Sequence, residues 1–199
     1  MGEWDVKSWD EEGYDAGKDE DGNLNLDDKL FKKFYEKNVQ TIKKVKDIGL
    51  PKKNEQVRLI TMNSFNTISI IDYIASQEVI EHAIFVIFAI NRQAAKIIIN
   101  LINTKRILKI DIIVSSIRNA GHKSKSIAVD MLKNYTNIVY VNSHAKITLL
   151  KTKNNYYNIE GSGNMSFNGR IEQYVLDNDK VLYDFSKKWI KELMEYEMK

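Results

Sequence analysis

The chain has 199 residues, of which 43% are hydrophobic and 29% are charged, a balance typical of a globular protein with a substantial core. It has no cysteine and three histidines, which excludes disulfides and thiolate metal sites and argues against a His-rich metal centre, so we expect neither a metal nor a cofactor. The longest near-apolar run, 83–90, is too short to cross a bilayer, and the acidic opening does not resemble a signal peptide. We therefore expect a cytoplasmic protein without a membrane partner.

Charge is distributed unevenly along the chain. Residues 1–28 contain eleven acids and two lysines, a net charge of −9, whereas the whole chain carries +3, so the remainder carries +12. A basic body with an acidic arm fits a protein that binds a polyanion, because the arm can compete for the same surface. The same lysine content also fits an ordinary solvated surface in a protein from an AT-rich genome, and composition alone favours that second interpretation.

The N-terminal quarter of the chain is predicted to hold an arm and one helix. Residues 1–26 are polar, acidic and dotted with glycine, which predicts a flexible arm. The segment 27–50 is predicted to be a helix, from about Asp27 to Asp47, that ends before Gly49 and Pro51. Its apolar side chains approximate one helical face: Leu30, Phe31, Phe34, Val39, Ile42 and Val45.

Strands and helices are predicted to alternate over residues 52–199. Apolar runs and alternating patterns predict strands over 57–62, 83–90, 108–114, 138–141, 145–151, 156–160 and 172–176. Helical periodicity predicts helices over 67–76, 92–104, 126–134 and 179–196, with Leu182, Phe185, Trp189 and Leu193 as the apolar face of the last one. This order predicts an α/β fold in which a mixed β-sheet is flanked by helices on both faces.

The hairpin predicted near the C-terminal third carries the most specific pattern in the chain. His144 and Lys146 stand two residues apart on a predicted strand, where alternation places both side chains on one face. Imidazole is a good nucleophile near neutral pH, and the neighbouring ammonium can hold a phosphate oxygen beside it.

The second half of the pattern follows the hairpin. Gly161-Ser162-Gly163-Asn164 lets backbone and short polar side chains approach an anion closely. Glu172 is placed to accept the other ring N–H of His144, which would fix its tautomer. Together these residue types are the parts needed to attack a phosphodiester without a metal.

Taken together, these residues resemble the phospholipase D superfamily, whose signature is His-x-Lys, four residues, Asp, and then Gly-Ser-x-Asn. The match is His144, Lys146, Ser162 and Asn164, with Glu172 at the position of the family's later acid. The chain departs from the signature at Lys151, which stands where the family has Asp, and in a slightly longer hairpin. The resemblance covers about residue 52 to the end and implies a phospholipase D-like single repeat.

The resemblance implies a metal-independent phosphodiesterase that works through a phosphohistidine. Superfamily enzymes use two His-x-Lys motifs and this chain has one, so the resemblance implies a homodimer with a shared site. The basic body favours nucleic acid, with DNA as the expected partner. Two alternatives stay open: a catalytically silent nucleic-acid-binding or virion structural protein with the same fold, which the missing Asp favours, and a phospholipid-processing enzyme.

Several residues outside the motif are secondary candidates. Arg118 and Lys123 lie in a basic segment ahead of a predicted helix and could grip a neighbouring phosphate, although an exposed loop is the simpler interpretation. Ser166 either adds a hydroxyl to the site or caps the next segment, Lys151 either faces the groove or solvates the hairpin, and His82 is expected to be structural.

Overall fold

One mixed β-sheet organises the part of the chain that the computed structural model describes, which comprises residues 33–38, 49–62, 65–116, 123–166 and 171–197. The strands are β1 (Lys33–Asn38), β2 (Glu55–Met62), β3 (Ile80–Ile87), β4 (Ile110–Ser115), β5 (Ile138–Val141), β6 (Ile147–Thr152), β7 (Tyr156–Gly161) and β8 (Ile171–Asn178). The helices are α1 (Thr67–Gln77), α2 (Arg92–Asn103), α3 (Lys123–Leu132) and α4 (Lys180–Glu197).

The strand order decides which segments meet at the edge of the sheet. It is β1-β2-β8-β7-β6-β3-β4-β5, and β6 and β8 run antiparallel to their neighbours. The carboxyl ends of β2, β3 and β7 therefore lie at the same edge as the amino ends of β6 and β8. Both halves of the motif lie at this edge, because His144 and Lys146 precede β6 and Ser162 follows β7.

Helices cover both faces of the sheet, which confirms the α/β prediction. The larger core lies under α1, α2 and α3, where Ile70, Ile98 and Leu132 pack on Phe85 and Ile112. The smaller core lies under α4 and includes Ile84, Leu149, Tyr183 and Ile190. Alternate side chains of β3 enter opposite cores, as the two-residue repeat of a strand requires.

Two helices begin at the edge that carries the motif. Asn66 caps α1 by accepting a hydrogen bond from the backbone N–H of Ser69 at 3.1 Å, and Asn91 caps α2 by accepting from Ala94 at 2.9 Å. A side-chain oxygen at this position satisfies one of the free N–H groups of the first turn, which stabilises the start of each helix at this residue.

The helix predicted between Asp27 and Asp47 is wrong over Lys33–Asn38, which form β1 and pair in parallel with β2. The open edge of β2 offers a row of backbone hydrogen-bonding groups, and a long-range partner of this kind overrides local helical periodicity. The rest of segment 27–50 up to residue 48, and the predicted arm 1–26, lie outside the described residues.

Two predicted faces also need correction. Leu108 was assigned to the third strand, but β4 begins at Ile110 and Leu108 is 59% exposed. Phe185 was assigned to the apolar face of the last helix, but it is 67% exposed, and Tyr183 and Ile190 are buried instead. The apolar positions of α4 span more than one face, so periodicity alone did not select the one that packs.

The remaining elements start or end within about three residues of their predicted bounds, as is usual at element ends. Within the described parts of the chain, no helix is both long and apolar enough to serve as a bilayer crossing.

Candidate active site

His144 and Lys146 lie in the segment that leads into β6, directly before Ile147 rather than inside the strand as predicted. The His144 side chain is exposed and the Lys146 side chain is half-buried. The Lys146 ammonium lies 3.4 Å from the Nδ1 atom of His144 and donates to the His144 carbonyl at 3.3 Å. The predicted proximity of the imidazole and the cation is therefore present.

An aromatic ring that the sequence analysis assigned to a buried strand lies against this pair. The Phe88 ring centroid is 4.4 Å from that of His144, with 46° between the ring planes. The Lys146 ammonium lies 5.4 Å from the same Phe88 centroid. Phe88 is the first residue after β3, and the antiparallel pairing of Val86 with Ile147 brings it to the His144 segment.

Ser162 and Glu172 meet on neighbouring strand ends. The Ser162 hydroxyl donates to the Glu172 carboxylate and accepts from the Gln173 backbone N–H at 3.1 Å. The Glu172 backbone N–H donates to the buried Thr61 hydroxyl at 3.3 Å, across the β2–β8 pairing. Glu172 thus engages a motif residue, and the predicted contact with His144 itself stays a prediction.

Tyr174 explains why the motif turn needs its glycines. A Cβ atom on Gly163 would lie 1.8 Å from the Tyr174 hydroxyl, and one on Gly161 would lie 2.3 Å from the Gln173 carbonyl. Neither glycine has the positive φ angle that would require it on conformational grounds. The glycines were predicted to admit an anion, but they also admit the buried tyrosine on which the turn rests.

The same tyrosine is 2% exposed, and burial raises the pKa of its hydroxyl. The hydroxyl therefore stays protonated around neutral pH, and the buried ring packs against the glycines of the turn. Nothing in the local sequence distinguished it from the other aromatic strand residues, because the constraint comes from β7 lying beside β8.

Met165 attaches the turn to the β3–α2 connection. The Met165 backbone N–H donates to the Ala89 carbonyl at 3.1 Å, and its carbonyl accepts from the Asn91 N–H at 3.1 Å. Met165 is buried, whereas Asn164 and Ser166 are half-buried. The Oδ1 atom of Asn164 is buried without a hydrogen-bond partner among the described residues.

These segments enclose a small open pocket at the sheet edge. Its lining joins both halves of the motif and includes Phe88, Lys146, Gly161, Gly163 and Asn164. Thr67, at the start of α1, and Tyr174 complete the side nearest the helices. A cation, backbone groups and an amide thus converge on one cavity next to the exposed imidazole.

The basic residues predicted outside the motif lie in different parts of the chain. Lys151 forms a salt bridge with Glu81 at 2.5 Å, at the opposite end of β6 from the pocket. Lys123 is the first residue of α3, and Arg118 lies outside the described residues. Both therefore remain predictions as phosphate ligands.

His82 has the structural role that was expected. Its Nε2 atom lies 2.7 Å from the carboxylate of Asp111, and its side chain is 14% exposed. The hydrogen bond from His82 holds the pKa of Asp111 below its ordinary value. This pair lies near the amino ends of β3 and β4, away from the pocket.

Comparisons with known proteins connect the chain to others through its fold. No protein-family model and no curated protein sequence matches it. Among solved structures it is similar to NucT from Helicobacter pylori, with a TM-score of 0.54, 18% identity, and coverage of 71% of this chain and 97% of that one. It is also similar to Nuc from Salmonella typhimurium, a phospholipase D family member, with a TM-score of 0.55, 11% identity, and coverage of 70% and 94%.

A polyphosphate kinase from Porphyromonas gingivalis is similar over 68% of this chain and 25% of its own length, with a TM-score of 0.51 and 10% identity. Two of these three structures are matched over nearly their whole length, so the likeness is to their complete folds. The chain therefore has the fold of the phospholipase D-like nucleases.

Proposed function

We propose that the chain is a metal-independent phosphodiesterase that cleaves nucleic acid through a phosphohistidine intermediate at a site shared by two copies. The observation that carries the proposal is the convergence of Lys146 and the Gly161–Asn164 turn on one pocket, with His144 beside Lys146. These segments are separated by the β6–β7 hairpin in sequence and are brought to one sheet edge by the strand order.

In the first step, a ring nitrogen of His144 attacks the phosphorus of a phosphodiester. A phosphorus–nitrogen bond forms, and the bond from phosphorus to the leaving oxygen breaks. The partner subunit's His144 gives a proton to that oxygen, acting as general acid. In the second step the imidazole of the partner subunit's His144 takes a proton from water, and the resulting hydroxide attacks phosphorus. The phosphorus–nitrogen bond then breaks, which frees the nucleophilic His144.

The second histidine has to come from another copy because the chain contains a single His-x-Lys. A two-fold axis through the sheet edge would bring two identical hairpins face to face, and a symmetric interface of this kind is the commonest in homodimers. Each copy then supplies one nucleophile or one acid to a single phosphorus centre.

Charge that develops on the phosphoryl oxygens requires donors at the same place. Lys146 supplies a cation, and Ser162 and Asn164 supply side-chain donors once Ser162 turns from Glu172 toward the substrate. Backbone groups at Gly161 and Gly163, the Ser166 hydroxyl, and more distantly Arg118 and Lys123 would hold the flanking phosphates. In this arrangement Glu172 would accept the His144 ring N–H.

Nucleic acid, most simply DNA, is the substrate class that fits the charge. The chain beyond residue 28 carries a net charge of +12. Binding through lysine and arginine contacts to phosphates is largely independent of sequence and weakens as salt rises. We therefore expect cleavage with little sequence preference.

The competing proposal is a nucleic-acid-binding or virion structural protein that has lost turnover. Its support is Lys151, which occupies the position of the signature's Asp and is committed to a salt bridge with Glu81. A polypeptide of this kind would bind DNA with the same salt dependence and would leave it intact.

Nicking of supercoiled plasmid in excess EDTA separates the two proposals. The wild-type chain should nick, His144→Ala should not, and His82→Gln, a histidine change far from the pocket, should nick at the wild-type rate. A reaction with phosphate-labelled DNA, quenched with SDS at alkaline pH because a phosphorus–nitrogen bond hydrolyses in acid, should leave label on the wild-type protein and none on His144→Ala. Binding without nicking by the wild type would support the silent protein, and nicking by His144→Ala would exclude the mechanism.

A further inference from the structure

Phe88 contacts the side chains of both His144 and Lys146, and neither the motif nor the proposed mechanism assigns it a role. It follows β3 directly and lines the pocket beside Lys146. The ring is half-buried, whereas Phe85 on the same strand is fully buried in the larger core. Phe88 is therefore placed at the boundary between the core and the site.

The ring contact restrains a side chain that is otherwise exposed. His144 precedes β6, outside the regular ladder, and its imidazole is exposed. The Phe88 centroid lies 4.4 Å from it in a tilted arrangement, a geometry that stabilises aromatic pairs beyond the area they bury. The contact limits the rotation of the imidazole about its side-chain bonds.

Lys146 adds a second contact, with a chemical consequence. An ammonium group donates hydrogen bonds and cannot accept them, so its 3.4 Å approach to Nδ1 favours the neutral imidazole that carries its proton on Nε2. In that tautomer Nδ1 faces the ammonium and Nε2 has no free lone pair, so the imidazole cannot attack phosphorus from Nε2.

Arrival of a phosphate changes the contacts of Lys146, but it leaves the contact between the Phe88 and His144 rings in place. A phosphate oxygen attracts the ammonium more strongly than a neutral ring nitrogen does, because the first is a charge-assisted contact. Once Lys146 moves to the phosphate, Nδ1 can take the proton and Nε2 becomes free. The ring of Phe88 carries no charge and does not have to leave His144 during this exchange.

From these contacts we infer that Phe88 is a positioning residue, which holds the His144 imidazole in its attacking orientation while Lys146 exchanges from the histidine to the phosphate. The inference rests on the proposed function for its effect on rate, but the ring contact itself can be measured without any reaction. Phe88 acts through His144 and does not need to touch the substrate.

The contact is measured by NMR of the histidine ring protons. The chain has three histidines, and His144→Ala identifies the signals of His144. Phe88→Leu should move those signals because it removes the ring current of Phe88. Phe88→Tyr should keep them close to the wild-type position, and Phe85→Leu, a buried control on the same strand, should leave them in place.

The role is measured by single-turnover nicking and by DNA binding. Phe88→Leu should slow nicking by about three- to tenfold, the factor that corresponds to one aromatic pair, with an unchanged dissociation constant for uncleaved DNA. Phe88→Tyr should nick at close to the wild-type rate. If Phe88 were merely structural, Phe88→Leu and Phe85→Leu would both have lower melting temperatures and would not differ in nicking rate.

Three results would overturn the inference. His144 signals that are identical in Phe88→Leu and the wild type would mean that the two rings are not in contact in solution. A shifted signal with an unchanged nicking rate would mean that the orientation does not matter. Nicking that survives in His144→Ala would overturn the proposed function, and the role of Phe88 with it, even where the ring contact is present.

Discussion

The two ends of the β6–β7 hairpin are built in different ways. At the turn, the Glu78 carboxylate accepts hydrogen bonds from the Thr152 hydroxyl at 2.7 Å, the Asn155 amide at 2.8 Å and the Tyr157 hydroxyl at 2.9 Å. Asn178 extends this network by donating to the Asn155 side chain at 2.8 Å. We refer to this end as the closed end.

The opposite end, which we call the open end, carries His144, Lys146 and Ser162. His144 contacts Lys146 and the Phe88 ring, the Ser162 hydroxyl contacts Glu172, and both His144 and Ser162 are exposed. Each of these contacts can be replaced by a contact to an anion, whereas those at Glu78 join fixed parts of the fold. The comparison indicates that one hairpin supplies rigidity at the closed end and exchangeable chemical groups at the open end.

Removal of His144 should produce the largest effect, and it should be confined to activity. His144→Ala is expected to lower the nicking rate by about 10⁴-fold or more, because a nucleophile has no substitute at the site. The free energy of unfolding should change by about 1 kcal/mol or less, since the side chain is exposed and its aromatic contact is with Phe88. Plasmid nicking measures the loss of activity, and urea unfolding measures the change in stability. A large loss of stability would contradict the inference that the open end contributes to activity rather than to rigidity.

Gly163→Ala tests the support beneath the open end. The new Cβ atom would lie 1.8 Å from the Tyr174 hydroxyl, so the turn or the ring has to shift, at a cost of about 3 kcal/mol in the free energy of unfolding. Nicking should fall as well, because Ser162 and Asn164 move with the turn.

The control for Gly163→Ala is a double-mutant cycle with Tyr174→Leu. If the clash with the ring is the cause, the double variant should be less destabilised than the two single effects added together. Simple additivity of the two effects would show that the glycine is needed for another reason.

Glu78→Ala tests the closed end. In contrast to His144→Ala, it should lower stability and leave activity nearly unchanged. It removes the shared acceptor of Thr152, Asn155 and Tyr157, which should lower the free energy of unfolding by about 2 kcal/mol. Nicking by the folded fraction should stay close to wild type, because the pocket lies at the other end of the strands. Activity per folded molecule that drops as far as in His144→Ala would show that the two ends are coupled.

Tyr157→Phe should have the smallest effect and a distinctive pH dependence. Burial, followed by the hydrogen bond to Glu78, raises the pKa of the Tyr157 hydroxyl above its ordinary value of 10.0. A raised pKa in the folded state means that this hydroxyl stabilises the fold fully below pH 10 and loses its contribution as pH rises above 10. Phe lacks the group that titrates.

Tyr157→Phe should therefore cost about 1 kcal/mol at pH 7, for the lost hydrogen bond, and should flatten the fall of stability above pH 10. Tyr183, buried under α4 with a pKa raised to about 12, supplies a parallel comparison away from the hairpin. An equally steep alkaline fall in Tyr157→Phe and the wild type would exclude Tyr157 as its source.

Local pattern was sufficient for much of the architecture. Apolar runs located seven strands, since a buried strand has to be apolar at the positions that face a core, and turn residues such as Asn154 and Asn155 marked the hairpin. The same patterns failed for Lys33–Asn38 and for Phe185. Lys33–Asn38 form a strand because they pair with β2, which is distant in sequence. Phe185 is exposed because the apolar residues of α4 lie on more than one face, and the sequence does not show which face packs.

What the sequence by itself determined are the chemical groups of the site: an imidazole, an ammonium, a hydroxyl, an amide and a carboxylate, at spacings that a hairpin can bring together. Only the tertiary structure decided that the Phe88 ring contacts His144, that Ser162 engages Glu172, and that Tyr174 occupies the space a side chain on Gly163 would need. The reason is physical. Residue types and spacing depend on the local chain, whereas these contacts depend on which strands lie side by side, and strand order is set by the packing of the whole sheet.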